Sequence, residues 1–196
     1  VEVRCPMMEM GQGAETVLTQ ICADGLQIPL EQVNWCQPET AHSPDTGPAG
    51  ASRGTFIGGN SILMAIAALK GQIAACLCVN SDTVSFSHGR VFVEEHPYSW
   101  AKIARLLSAH GCQDAAAMYK VPDAKWDNNR CQGDAFISYV YSCHAAEVEV
   151  DTDTGQVKVL QMVGCHDAGR IINPQMAAGQ VTDGMVMGIG MALTEA

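Results

Sequence analysis

The sequence is short of charge, of aromatic residues and of long apolar runs. Only 16% of its 196 residues are Asp, Glu, Lys or Arg, against about 25% in an ordinary globule. Much of the surface is therefore expected to face other protein. The charge present is acidic: 11 Lys and Arg against 21 Asp and Glu, a net of −10. With no Lys/Arg cluster, nucleic acid and anionic membrane are excluded as partners. The best apolar run, Ile62–Leu69, falls far short of the roughly 18 residues a transmembrane helix needs. The opening VEVRCPMMEM lacks the basic start and apolar core of a signal peptide. Metal-ligand spacing is missing too. Cys76 and Cys78 form C-x-C without a second pair, and His166-Asp167 has no accompanying partner set, so structural roles are the favoured reading for them.

What is present is apolar material, 47% of the chain, enough for one large domain or two small lobes with real cores. Nine Cys is an odd number, and most lie in apolar segments such as IAACLC, Ile73–Cys78. They read as reduced, buried thiols of a cytoplasmic protein rather than a disulfide framework.

Patterning predicts an α+β fold in two layers, with helices packed on mixed sheets. Two lobes are expected, residues 1–80 and 81–196. The first runs strand (Val1–Glu9, with Pro6 inside it), helix (Glu15–Gly25), short strand (Gln32–Cys36), glycine-rich loop and helix (Asn60–Lys70, capped by Asn60 or Ser61). The second opens with a hairpin across His88-Gly89 and an amphipathic helix from Tyr98 to His110. A polar loop spans Ala117–Gly133, and strands Phe136–Asp151 and Gln156–Asp167 join through DTDTG. Asn173-Pro174 then opens a last helix over Gln175–Glu195, dotted with Gly179, Gly184, Gly188 and Gly190. Each glycine costs about 1 kcal/mol of helix stability relative to Ala, so close approach of another backbone or a ligand is expected there.

Two stretches bear on function. SPDTGPAGASRGTFIGGNS, Ser43–Ser61, places Gly50, Ala51, Ser52, Arg53, Gly54 and Thr55 ahead of a helix. Backbone N–H groups clear of bulky side chains at a helix start make an anion site. Ser52 and Thr55 can donate hydroxyls, and Arg53 can fork onto a phosphate. Chemistry alone leaves this balanced against a flexible surface loop, since neither established phosphate-loop pattern matches. In MEMGQG, Met8–Gly13, Gln12 sits between two glycines. Its planar amide either meets a heterocycle or caps the turn. Gly188-Ile189-Gly190 lies inside a helix and is no dinucleotide fingerprint, and Glu195 reads as a solvated helix-end residue.

The order of these motifs is distinctive: MGQG, PDTGPAGASRGT, AEVEVDTDTG, DAGRIINP, GQVTDG and GIGMALTE. It resembles the molybdenum-cofactor-binding portion of the xanthine dehydrogenase/aldehyde oxidase family, the molybdenum hydroxylases, from Met8 to Glu195 and least between Cys76 and Gly133. The resemblance implies that Met10, Gly11 and Gln12 lie beside the pterin and that Gly50–Thr55 wraps the pterin and its phosphate. It further implies that Ala51 lies nearest the molybdenum without a side-chain ligand, and that Gln180 also reaches the pterin. The Ser52-Arg53 pair resembles bacterial members whose cofactor is the cytosine dinucleotide form. The implied reaction is oxidative hydroxylation of an N-heterocycle, purine-like, or an aldehyde with oxygen from water. Electrons would leave through 2Fe-2S and FAD on other domains or subunits, which would be partners of this chain. The family's Gly-x-Gly-Glu base motif is absent here, so this chain alone is expected to be inactive, with no catalytic residue of its own. Two other readings stay open: a nucleotide- or phosphate-binding module without redox activity, and a structural fragment packing on a partner chain.

Overall fold

A computed structural model describes residues 1–196 except His42, Pro44, Thr46, Pro48, Ala51, Gln113, Ala124, Ile137 and Ala196. The chain divides into two compact units, Val1–Val121 and Pro122–Ala196. The expected boundary near residue 80 falls inside the first unit, because residues 81–121 share its core: Ile73 and Ala74 bury with Val84, Val91 and Ile103 in one cluster.

The first unit begins with β1 (Glu2–Arg4), which pairs in parallel with β2 (Asn34–Cys36), Val3 opposite Trp35. Between them runs α1 (Ala14–Leu26), whose Leu18, Cys22, Ala23 and Leu26 form its buried face at helical spacing. A π-helical turn, Gly54–Gly58, leads without a break into α2 (Gly59–Leu77). Next come β3 (Val84–Ser87), β4 (Arg90–Val93) and β5 (His96–Tyr98), one antiparallel sheet. The β3–β4 turn uses His88 at φ 49° and Gly89 at φ 71°, the left-handed pair that a tight hairpin of this twist requires. α3 (Trp100–Ala109) closes the unit, with the Ser99 hydroxyl accepting from the Lys102 N–H at 3.3 Å. Leu18, Leu26, Ile73, Val91 and Ile103 are the largest fully buried side chains. All of them belong to this unit.

α1 and α2 cross closely, and glycine is what permits it. A Cβ on Gly25 would meet Ile66 Cδ1 at 2.6 Å, and one on Gly59 would meet Ile21 Cδ1 at 2.9 Å. On Gly58 it would press on both Leu18 methyls at 3.1 and 3.2 Å and on Met7 Cγ at 3.3 Å. The GG of IGGN therefore belongs to helix packing. The helix starts earlier than its glycines suggest, which corrects the expected cap at Asn60 or Ser61. Those residues lie inside it, with Asn60 Nδ2 donating to the Phe56 carbonyl at 2.6 Å and Ser61 Oγ to the Ile57 carbonyl at 2.8 Å. The continuous helix Gly54–Leu77 is also long and apolar enough, by length and composition, to cross a membrane. The run Ile62–Leu69 did not reveal this, because Gly and polar residues interrupt the apolar stretch. Its Ile62, Ile66, Ile73 and Ala74 are buried in the core of the unit.

The second unit contains two hairpins and a helix. β6 (Lys125–Asp127) and β7 (Gln132–Asp134) pair within the stretch expected to be loop. β8 (Tyr141–Val150) and β9 (Val157–Asp167) form a long antiparallel ribbon with a register shift at Glu147/Val148. The DTDTG turn forms as predicted: the Asp151 carboxylate accepts from the Asp153 N–H at 2.9 Å and the Thr154 hydroxyl at 2.7 Å, with Gly155 at φ 75°. These bonds hold the Asp151 carboxyl below its ordinary range, the Thr154 hydroxyl contributing most. α4 (Pro174–Leu193) starts where predicted, Asn173 Oδ1 accepting from the Met176 N–H at 3.1 Å. No described side chain in this unit is buried. The sheets are thus one parallel and three antiparallel among the described residues, with four α-helices, an α+β fold as expected.

The cysteines differ from expectation. Only Cys5 and Cys22 are buried, and burial pushes both thiols up. Cys78, Cys131, Cys143 and Cys165 are exposed. All nine are unpaired.

Candidate cofactor-binding site

The segment ahead of α2 is built from backbone. Gly47, at φ 71°, donates its N–H to Asp45 Oδ1 at 2.8 Å, and Arg53 N–H closes a turn onto the Gly50 carbonyl at 3.1 Å. Ser52 takes the left-handed φ of 57°, unusual for a residue with a Cβ, and this swings the chain into the π turn. Among the described residues no side chain caps that turn, and uncapped N–H groups at a helix start are suited to binding an anion. Single π turns of this kind recur at functional sites. Among the described residues nothing lies within 4 Å of where a Cβ on Gly50 or Gly54 would stand. The half-buried Arg53 brings its Nη1 to 3.3 Å from the Cβ position of Gly47, so the guanidinium lies against the same loop. Ser52 and Thr55 are exposed. Ala51 lies outside the described residues. Behind the turn, Phe56 and Tyr119 stack edge to face at 5.5 Å, and the Tyr119 N–H donates to Ser61 Oγ at 3.0 Å.

The MEMGQG turn is organised by Glu9, a residue sequence reading passed over. Its Oε1 accepts from the Gly11 N–H at 2.8 Å and the Gly13 N–H at 2.9 Å, and its Oε2 from the Glu15 N–H at 3.0 Å. Partial burial pushes its carboxyl up, but the N–H groups of Glu15, Gly13, Gly11 and Ala14 outweigh that, and it lies below its ordinary range. The signal was available, since a carboxylate just before a helix N-terminus suits the dipole. Gln12 behaves as the turn-capping alternative describes: its Nε2 donates to the Met8 carbonyl at 2.7 Å and its Oε1 accepts from the Met10 N–H at 2.6 Å. Gly11 stands at φ 103° with nothing within 4 Å, and Met10 is exposed. Met10–Gln12 and Gly50–Thr55 belong to the first unit, Gln180 to the second, where it is exposed on α4.

Surface hollows lined by Asp82, Ser85, Phe92 and Glu94, and by Glu149, Lys158 and Leu193, lie elsewhere. The loop is an open cradle. It can grip a flat anionic group with backbone N–H donors, two hydroxyls and one guanidinium.

The site is thus a glycine-rich loop that opens a long helix through a π turn in an α+β fold. The chain belongs to the molybdopterin cofactor-binding domain family, matching it over residues 1–196. It is 30% identical to the 6-hydroxypseudooxynicotine dehydrogenase complex subunit gamma of Paenarthrobacter nicotinovorans, all of this chain aligning with 25% of that one. It is 32% identical to xanthine dehydrogenase 1 of Arabidopsis thaliana over 96% of this chain and 13% of that protein. The aldehyde oxidoreductase of Desulfovibrio desulfuricans ATCC 27774 superposes with a TM-score of 0.71 at 26% identity, covering 92% of this chain and 18% of that one. The chain thus spans a quarter or less of the relatives it matches, which are oxidoreductases.

Proposed function

We propose that this chain is the pterin- and phosphate-gripping part of a molybdenum hydroxylase that hydroxylates an N-heterocycle, purine-like, or an aldehyde with water-derived oxygen. The observation that carries this reading is the uncapped π turn opening α2, bordered by open space at Gly50 and Gly54 and by the Arg53 guanidinium. These residues fit a flat guest bearing phosphate. Molybdopterin, when bound, supplies the redox-active metal centre. The chain supplies N–H donors from Gly54 onward, hydroxyls from Ser52 and Thr55, and a positive charge at Arg53. Met10–Gln12, in the same unit as the loop, would lie beside the pterin.

Arg53 favours the cytosine dinucleotide form, whose added phosphate needs a counter-charge. 2Fe-2S and FAD centres, carried on other domains or subunits, would supply the path by which electrons leave. The exposed apolar side chains of the second unit, Val148, Val150, Leu160, Val163 and Met187 among them, suit packing against other molybdenum-domain segments or subunits. Isolated, the chain is inactive and holds cofactor weakly. Its unpaired thiols favour a cytoplasmic setting.

The test is elemental and nucleotide analysis of the whole protein purified in its complex. Stoichiometric molybdenum with a released cytosine nucleotide is expected. Nucleotide without molybdenum would replace this reading with a non-redox binding module, and neither would leave a structural segment.

A further inference from the structure

The sequence left His166 without a partner. The β8–β9 ribbon supplies one. Ser142 stands opposite His166 and His144 opposite Gly164, so the two histidines lie diagonally on one face. Their Nε2 atoms are 2.5 Å apart, with rings at 81° and centroids 4.7 Å apart. Two N–H groups cannot face each other at that distance. At least one ring presents its lone pair, so the two nitrogens can share a single small cation, a proton or a metal ion.

α4 brings a thioether close by. A Cβ on Gly164 would meet Met185 Sδ at 3.2 Å, His144 Cε1 at 3.3 Å and Val181 Cγ1 at 3.0 Å. The thioether and the His144 ring therefore both border the space that Gly164 leaves empty. Cys143 and Cys165 oppose each other one residue away along the strands, and strand alternation turns them to the other face. Both histidines are exposed, while Met185 and Val181 are half-buried, so an ion can enter from solvent and rest on an apolar floor.

We propose that His144, His166 and Met185 form a binding site for a soft monovalent transition-metal ion, with Cu(I) as its best occupant, independent of the molybdopterin cradle. The donor set is two neutral imidazoles and one thioether, with no anionic ligand. A thioether selects Cu(I), and an uncharged donor set suits a monovalent ion better than Zn(II). Metal–nitrogen bonds of about 2.0–2.1 Å would require the two Nε2 atoms to separate by roughly 1 Å, a side-chain adjustment at an exposed position.

The experiment uses the tag-free whole protein in its complex, with accessible thiols alkylated, titrated anaerobically with Cu(I) against bicinchoninate and separately with Zn(II). Wild type should retain one more equivalent of Cu(I) than His144→Asn or His166→Asn. Each of these variants should weaken the site by more than the roughly 10–100-fold that changes around a metal ligand cost. Met185→Leu keeps side-chain volume. It should lower Cu(I) retention while leaving Zn(II) retention unchanged, and should remove the sulfur scatterer from the copper X-ray absorption spectrum. Equal Cu(I) retention in wild type and all three variants, or no sulfur scatterer in the wild-type spectrum, would overturn the assignment. Wild-type copper spectra keep the test decisive should a histidine variant misfold.

Discussion

The two units of this chain were read from one sequence by one set of rules, yet among the described residues only the first has a buried interior. The described hydrophobic core, from Val3 to Leu107, lies within Val1–Val121. Pro122–Ala196 has regular hydrogen-bonded ribbons and a 20-residue helix, and leaves Val148, Val163, Val186 and Met191 exposed. Secondary structure and a private core are therefore separable. In the first unit the glycines are set by packing between helices. In α4 nothing lies within 4 Å of the Cβ positions of Gly179, Gly184 and Gly188.

Substitutions in the two units should separate them. Leu18 is fully buried, so Leu18→Ala should cost about 2–5 kcal/mol in denaturant unfolding. In the isolated chain, Leu160→Ala, at a site 48% exposed, should fall within about 0.5 kcal/mol of wild type. A large loss at Leu160 would end the contrast. Glycine replacement should go in opposite directions. Gly58→Ala drives a methyl into Leu18 and Met7 and should destabilise by about 1–3 kcal/mol. Gly188→Ala meets open space and should stabilise by roughly 0.5–1 kcal/mol. Calorimetric melting of both variants checks the sign.

The smallest effect concerns Glu9, whose carboxyl is lowered in the folded protein. Its contribution is therefore fully present above the ordinary Glu value of about 4.3 and is lost as pH falls through the folded value. Glu9→Gln should cost about 0.3–1 kcal/mol at neutral pH, the usual range for a charge at a helix start. The deficit should vanish in acid. A pH-independent deficit would mean the charge is irrelevant there.

The parts legible in the sequence are those fixed by local chemistry. Asn173-Pro174 announces the start of α4, DTDTG the ribbon turn, and His88-Gly89 the tight hairpin, because cap and turn residues act within a few positions. The π turn at Gly54 was not legible. Glycine reads as loop, and only the close crossing of α1 explains Gly58 and Gly59 inside a helix. Exposure of Cys143 and Cys165 was hidden for a related reason: an apolar strand looks buried until nothing covers it. The His144–His166 contact joins residues 22 apart through ribbon register, which no spacing motif encodes. At the candidate site, the order of motifs carried Gly50–Thr55, whereas Glu9, the organiser of the Gln12 turn, emerged only from its hydrogen bonds.

The central claim is that the loop before α2 grips the phosphate-bearing cofactor, and Arg53→Ala in the whole protein tests it most directly. Molybdenum and released nucleotide, measured per chain against wild type and against Arg105→Ala on the surface of α3, should both fall for Arg53→Ala and stay unchanged for the control. Full occupancy in Arg53→Ala would contradict the assignment of this loop.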